Sequence, residues 1–206
     1  LTKERLKPKR AEKFSFRQFA DLVHNKAWLY MTAIAVCTNF FNGFRYAVAG
    51  YMFEYCLHGN VTIEGLIINY TVFMAFGEVT CMIFGGLSPV FTKTVGSKRM
   101  AFFWSALLCL VLSIAFFFIP MSPDYIWVMI ALVILTSIGI GIYSPLMWSM
   151  YADVADYHTE HFGTSATGLI FSSGTMSQKF GTAISGSLIA LFLGWAGANM
   201  ITDKMG

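Results

Sequence analysis

Arg45 falls in the middle of a long apolar run, with Asn39 and Asn42 at i−6 and i−3. On a helix these three, with Tyr46, Ala49 and Phe53, lie within one stripe of about 120°. A charge at the bilayer centre costs about 2.5–3.5 kcal/mol on insertion scales, so an arginine there needs a reason. A guanidinium in a polar stripe suits a water-filled pathway, where paired N–H groups hold hydroxyls or a carboxylate. The plainer reading is an arginine paired to a neighbouring acid for packing alone. Lys179 lies about a third of the way along a later apolar run, with Ser172 and Thr175 at i−7 and i−4. Thr182 and Gly186 continue that face, giving a small, hydroxyl-rich stripe with one cation. Such a stripe is shaped for a polyol and for close helix approach; the alternative is a lysine that snorkels to the interface.

Glu78 sits in a third apolar run and is read as a structural partner of Arg45 or Lys179, with a proton carrier as the alternative. Asp153 and Asp156 stand at i and i+3 on one helical face, at the polar end of a fourth run. They suit a cytoplasmic gate, in which carboxylates pair with basic residues at another helix end in breakable contacts. With His158, Glu160 and His161 they also resemble a metal cluster. No ligand spacing recurs, so no metal site is expected. Trp148, beside Pro145, offers a face on which a pyranose ring can stack, or a belt residue at the interface.

These residues need elements that carry them across a membrane. The chain is 56% hydrophobic and only 12% charged, with mean hydropathy +0.62, against about a quarter charged for ordinary soluble domains. A globular enzyme with a normal surface is a poor fit. Five segments exceed or approach the roughly 20 apolar residues that span a bilayer: about 28–55, 66–91, 100–119, 125–150 and 168–195. They must be helices, since open strands leave backbone groups unpaired in lipid. Gly139, Gly141 and Pro145 interrupt the fourth, as a hinge or as packing notches. The four cysteines show no CxxC spacing, and three lie inside apolar runs as small hydrophobes.

Eight of the fourteen basic residues lie between Lys3 and Lys26. Because membrane follows at once, a cytoplasmic anchor explains them better than a nucleic-acid tail, and no nucleic-acid partner is expected. Lys93, Lys98 and Arg99 lie between the second and third segments, whereas Cys56–Gly65 and Pro120–Asp124 carry no Lys or Arg. Alternation then places the N-terminus, the Lys93–Arg99 loop and the Ala152–Thr167 loop in the cytoplasm. Residues 1–26 read as a basic cytoplasmic central linker, 27–196 as a partial C-terminal bundle, and 197–206 as an outer tail where a final helix would follow. The start, polar and without Met, reads as the middle of a longer protein.

The stretch Trp148-Ser-Met-Tyr-Ala-Asp-Val-Ala-Asp-Tyr157, then Gly168-Leu-Ile-Phe-Ser-Ser173 and Gln178-Lys-Phe-Gly181, resembles the glycoside–pentoside–hexuronide:cation symporter family. This is the melibiose-permease-like branch of the major facilitator superfamily. Asn39-Phe-Phe-Asn-Gly-Phe-Arg45 resembles its seventh helix. The resemblance covers nearly the whole chain and implies an all-α membrane protein whose five spans are helices 7–11 of that fold. It places Lys179 at the eleventh-helix lysine near the sugar pocket, and Asp153 and Asp156 at the cytoplasmic gate loop. Two departures, Thr164-Ser165 where many relatives carry a basic residue and His158-Thr-Glu-His161, concern the gate.

The implied function is secondary transport of a sugar, glycoside or hexuronide across the bacterial inner membrane, driven by Na⁺ or H⁺. The expected substrate contacts are Asn39, Asn42, Arg45, Trp148, Ser172, Thr175 and Lys179. Carriers of this kind build their site between two halves near the midplane. The coupling cation is therefore expected mainly in a missing N-terminal half, with no tightly bound cofactor in this one. The partners are that half, the last helix, membrane lipid and a sugar-like solute. A carrier of lipid or another non-sugar solute is the main alternative. A membrane-embedded enzyme would need a set such as HExxH or GxSxG, and none is present.

Overall fold

The computed structural model describes residues 16–63, 65–163 and 166–195, with side-chain placement from residue 20 onward and not at 63. The basic residues 1–15, Thr164-Ser165 and the tail from 196 lie outside them. Five helices of at least 20 residues form the bundle, each set by local signals.

Helix α1 (Phe16–His24) is short and ends at Asn25, whose side chain accepts from the N–H groups of Ala27 and Trp28 and so caps α2 (Lys26–Tyr51). The last turn of α2 widens through Met52–Cys56. A hairpin follows, β1 (Asn60–Ile63) against β2 (Leu66–Asn69), antiparallel with Val61 opposite Ile68. Asn69 then accepts from Val72 N at 2.9 Å and caps α3 (Tyr70–Val95). Gly96, at φ +80°, stops α3 in a left-handed turn that a side chain would strain. Helices α4 (Lys98–Phe117), α5 (Ile126–Phe162) and α6 (Thr167–Trp195) follow.

Three boundaries differ from the sequence reading, each for a physical reason. Residues 16–24, expected as linker, form a helix because Leu22 buries completely among Ala155, Ala166 and Ile170, near the end of α5 and the start of α6. Leu66–Asn69, expected as the start of the second span, pair as a strand and bury Ile68 on Phe53 and Phe73. Among the described residues the architecture is thus helical except for one hairpin. Most of the expected Ala152–Thr167 loop continues α5, which reaches roughly 55 Å at 1.5 Å per residue. Tyr151, Val154, Ala155 and His158 are the buried stripe that holds this extension.

Large side chains point outward, the reverse of a soluble protein. On α3, Val79, Met82, Ile83, Leu87 and Val90 are exposed; on α4, Phe103, Leu110, Val111, Ile114 and Phe117 are. Small residues hold the helices together instead. Gly43 of α2 faces Thr182 and Ser185 of α6, and Gly181 faces the backbone of Val36 and Phe40. Gly77 of α3 meets Ser137 and Val133 of α5, while Gly139 and Gly141 of α5 meet the carbonyls of Ser105 and Cys81. The glycines of α5 are packing notches within an unbroken helix. Three elements, Tyr70–Val95, Lys98–Phe117 and Pro123–Phe162, are long and apolar enough to cross a membrane by composition alone. Polar stripes dilute α2 and α6, which are equally long.

Candidate functional site

Arg45 is turned inward between α2, α3 and α5. Its Nη1 donates to Ser137 Oγ at 3.4 Å, its Nη2 lies 4.0 Å from Glu78 Oε1, and its Nε is buried without a partner among the described residues. The guanidinium lies over the ring of its neighbour Tyr46, 5.0 Å from the centroid. Tyr46 donates its hydroxyl proton to Glu78 Oε1 in a short hydrogen bond. Glu78 therefore pairs with Arg45 and not with Lys179. One turn back, Asn42 donates from Nδ2 to Tyr143 Oη at 3.0 Å, and its Oδ1 has no partner among the described residues. Asn39 donates to the Ala35 carbonyl at 2.7 Å and packs against Gly181. The polar stripe of α2 thus meets α3 and α5 at one end and α6 at the other.

Two cavities flank this stripe. One, about 240 Å³ and mainly apolar, is lined by Phe41, Phe44, Arg45, Phe73, Phe116 and Thr136. The other, an open cleft of about 990 Å³, is lined by Gly43, Tyr46, Tyr70, Thr182, Ser185 and Gly186. Tyr46 joins the Arg45–Glu78 pair to that cleft.

The α6 stripe turns Thr182 and Gly186 to the cleft beside α2. Gly174, Ser177, Gly181 and Ser185 are its buried side, and Ser172, Thr175, Lys179, Thr182 and Gly186 are exposed. The hydroxyls of Ser172, Thr175 and Thr182 donate to helix carbonyls, so their lone pairs remain outward. Lys179 meets no acid among the described residues. Arg45 and Lys179 are therefore not brought together within them.

At the opposite end, Lys98 at the start of α4 grips Asp153 through both oxygens, at 2.7 and 2.8 Å. Asp156 is exposed and has no ion pair among the described residues. Trp148 lies in the cluster at this end, stacked on Phe171 with rings 6.2 Å apart and 3° from parallel, beside Tyr151. It is half-buried and remote from Arg45 in the contacts it makes. Among the described residues no group of three His, Cys, Asp or Glu is placed to hold a metal.

Sequence reasoning passed over Tyr46 as a hydrogen-bond donor, Ser137 and Tyr143 as polar partners, and Lys98 as the mate of Asp153. Tyr46 follows Arg45 directly and shared its stripe, the one available signal.

A family model described as MFS/sugar transport protein matches residues 2–205. The chain is 28% identical to the putative glycoside/cation symporter YagG of Escherichia coli K12 over 177 residues, 84% of this chain and 36% of that protein. It is 30% identical to the inner membrane symporter YicJ of the same organism over 129 residues, 61% of this chain and 27% of that protein. It is 39% identical over 101 residues to an uncharacterized 29.9 kDa protein of Pseudescherichia vulneris, 49% of this chain and 36% of that one. The chain thus spans about a third of the length of the curated relatives it matches. No solved structure matches it.

Proposed function

The chain belongs to the MFS/sugar transport protein family, and from that premise we propose that it forms part of a secondary transporter which moves a sugar or glycoside together with Na⁺ or H⁺. The observation that carries this reading is the Arg45–Glu78–Tyr46 cluster. It is an ionic group midway along membrane helices, joined through Tyr46 to an open cleft. Charges at that depth are expensive and mark solute pathways. The named activities of YagG and YicJ, a glycoside/cation symporter and an inner membrane symporter, support the same class. On this reading α2 to α6 are helices 7–11 of the carrier, in the bacterial inner membrane with α1 in the cytoplasm. The exposed stripe of Ser172, Thr175 and Lys179 faces the other half, where most ligands of the coupling cation reside.

The test is uptake of labelled glycosides by the full-length carrier in membrane vesicles under imposed Na⁺ or H⁺ gradients. Accumulation that collapses with the matching ionophore is expected. Gradient-independent equilibration, or no uptake of any sugar, overturns the reading and favours a carrier of lipid or another solute.

A further inference from the structure

The open cleft beside α2 has an aromatic and acidic wall. Tyr46, Gly50 and Glu54 recur every four residues along α2 and the widened turn that ends it, and all three line the cleft. Glu54 is exposed and makes no ion pair among the described residues. Of the described residues that line the cleft it is the one charged group. Thr182 and Gly186 supply the wall from α6, and Tyr70 supplies it from the start of α3.

The rings of this wall are held from behind. Tyr70 follows the Asn69 cap directly and packs edge-on against the buried Phe53, with centroids 6.5 Å apart at 72°. A Cβ on Gly50 would stand 3.9 Å from the Tyr70 ring, so a longer side chain there would cover it and glycine leaves it open. Tyr46 gives its hydroxyl to Glu78, which leaves its ring to the cleft. Thr182 donates to the Gln178 carbonyl and keeps its lone pairs for an outside donor. A Cβ on Gly186 would meet nothing within 4 Å, so the α6 side of the cleft is unfilled.

We infer that this cleft binds a glycoside, with Tyr70 as the ring on which the sugar's C–H face lies and Glu54 as the acceptor of its hydroxyls. A fixed aromatic ring next to an unpaired carboxylate fits a solute that is apolar on one face and rich in O–H donors at its edge. The carboxylate has lone pairs for two such donors, and the Thr182 hydroxyl accepts a third. At about 990 Å³ the cleft lies at the upper end of the roughly 300–1,000 Å³ of small-molecule sites, which leaves room for an aglycone ring beside the sugar. The inference rests on the transport reading. It adds Glu54 and Tyr70, at the hairpin end of the bundle, to the substrate contacts.

The experiment measures binding of the p-nitrophenyl β-glucoside, β-galactoside, α-galactoside and β-xyloside to the full-length carrier, wild type and variants. For the probe that wild type binds most tightly, Glu54→Gln should weaken binding about tenfold, the worth of a hydrogen bond to a charged group. Gly186→Trp should weaken it at least as much, because the indole fills the cleft without meeting a packed neighbour. Gly194→Trp, equally free of neighbours but outside the cleft, is the control and should bind as wild type does. Tyr70→Leu should weaken binding more than Tyr70→Phe, which keeps the ring; if Tyr70→Leu does not fold, the Glu54 and Gly186 variants decide. An affinity within about twofold of wild type in either Glu54→Gln or Gly186→Trp overturns the inference and leaves the transport reading standing. So does a Glu54→Gln carrier that keeps its glycoside affinity and loses its dependence on Na⁺ or H⁺, which makes Glu54 a cation ligand instead. A wild type that takes up a sugar yet binds none of the four aryl glycosides also overturns the inference alone. A wild type that binds none of them and takes up no sugar overturns both.

Discussion

Lys179 is exposed on α6, away from the helix's buried side of Gly174, Ser177, Gly181 and Ser185. Its replacement by Ala removes no packing, since Gly181 and Ser185 on the opposite side hold α6 to α2. Lys179→Ala in the full-length carrier is therefore expected to reach the membrane at normal levels and lose most uptake. Normal uptake by a well-expressed variant would remove the residue from the site. Asp153 presents the contrary case. Its bond to Lys98 is short, but the two side chains are 56% and 42% exposed, and exposed pairs contribute at most about 1 kcal/mol. Asp153→Asn should lower thermal stability in detergent by less than that, so a larger loss of transport would identify the pair as part of a moving gate.

Helix packing rests on glycines that leave no room for a methyl group. A Cβ on Gly181 would stand 2.6 Å from the Val36 carbonyl oxygen and 2.7 Å from Phe40 N. Both are backbone atoms, so the whole of α2 must retreat. Overpacking of this kind costs about 1–3 kcal/mol. Gly181→Val should lower the unfolding midpoint of the detergent-purified carrier, whereas Gly194→Val, with nothing near it, should not. Helix α1 has a different fastening. Asn25 uses its Oδ1 to cap α2, which turns its Nδ2 toward His158 Nδ1 at 3.2 Å, so that ring nitrogen must be unprotonated. His158 lies beyond the apolar span of α5, and its burial pushes its pKa below the ordinary histidine value, with Asp21 opposing. Released histidine protonates near pH 6.5. Docking is therefore fully favoured above that value and is lost as pH falls below it toward the lowered folded pKa. Hydrogen exchange in α1 should accelerate between pH 7.5 and 5.5. Unchanged or stronger protection at the acid end would refute this account.

The bundle as a whole is turned inside out, with exposed Phe, Leu and Val on α3 and α4 and glycine and serine between helices. Lipid supplies no hydrophobic drive to bring helices together, so close backbone approach does that work. The proposed direction of insertion rests on Lys and Arg, which crowd the chain before α2 and recur between α3 and α4. A cysteine introduced at Ser122, between α4 and α5, should react with an impermeant reagent from the periplasmic side. Labelling from the cytoplasm alone would reverse the orientation.

Chain composition by itself determined that this is a helical membrane protein with about five spans and a charged stripe on α2. The reason is local, since the cost of placing apolar or charged residues in lipid belongs to each segment alone. The continuation of α5 to Phe162 was read as a loop, because the polar residues between Tyr151, Val154, Ala155 and His158 masked the helical spacing of those four. What no local pattern contains is a partner. Leu66–Asn69 read as a span start because its apolar run merges with α3, and pairing with Asn60–Ile63 alone makes it a strand. Gly139 and Gly141 suit a hinge or a notch equally until Ser105 and Cys81 lie against them. Glu78 chose Arg45 over Lys179 through the rotation of α3 and α2 about their own axes. The rotation of α3 is set where Gly77 and Gly141 pack it on α5, and that of α2 where Gly43 and Gly181 pack it on α6, an outcome of the tertiary structure and of nothing nearer in the chain.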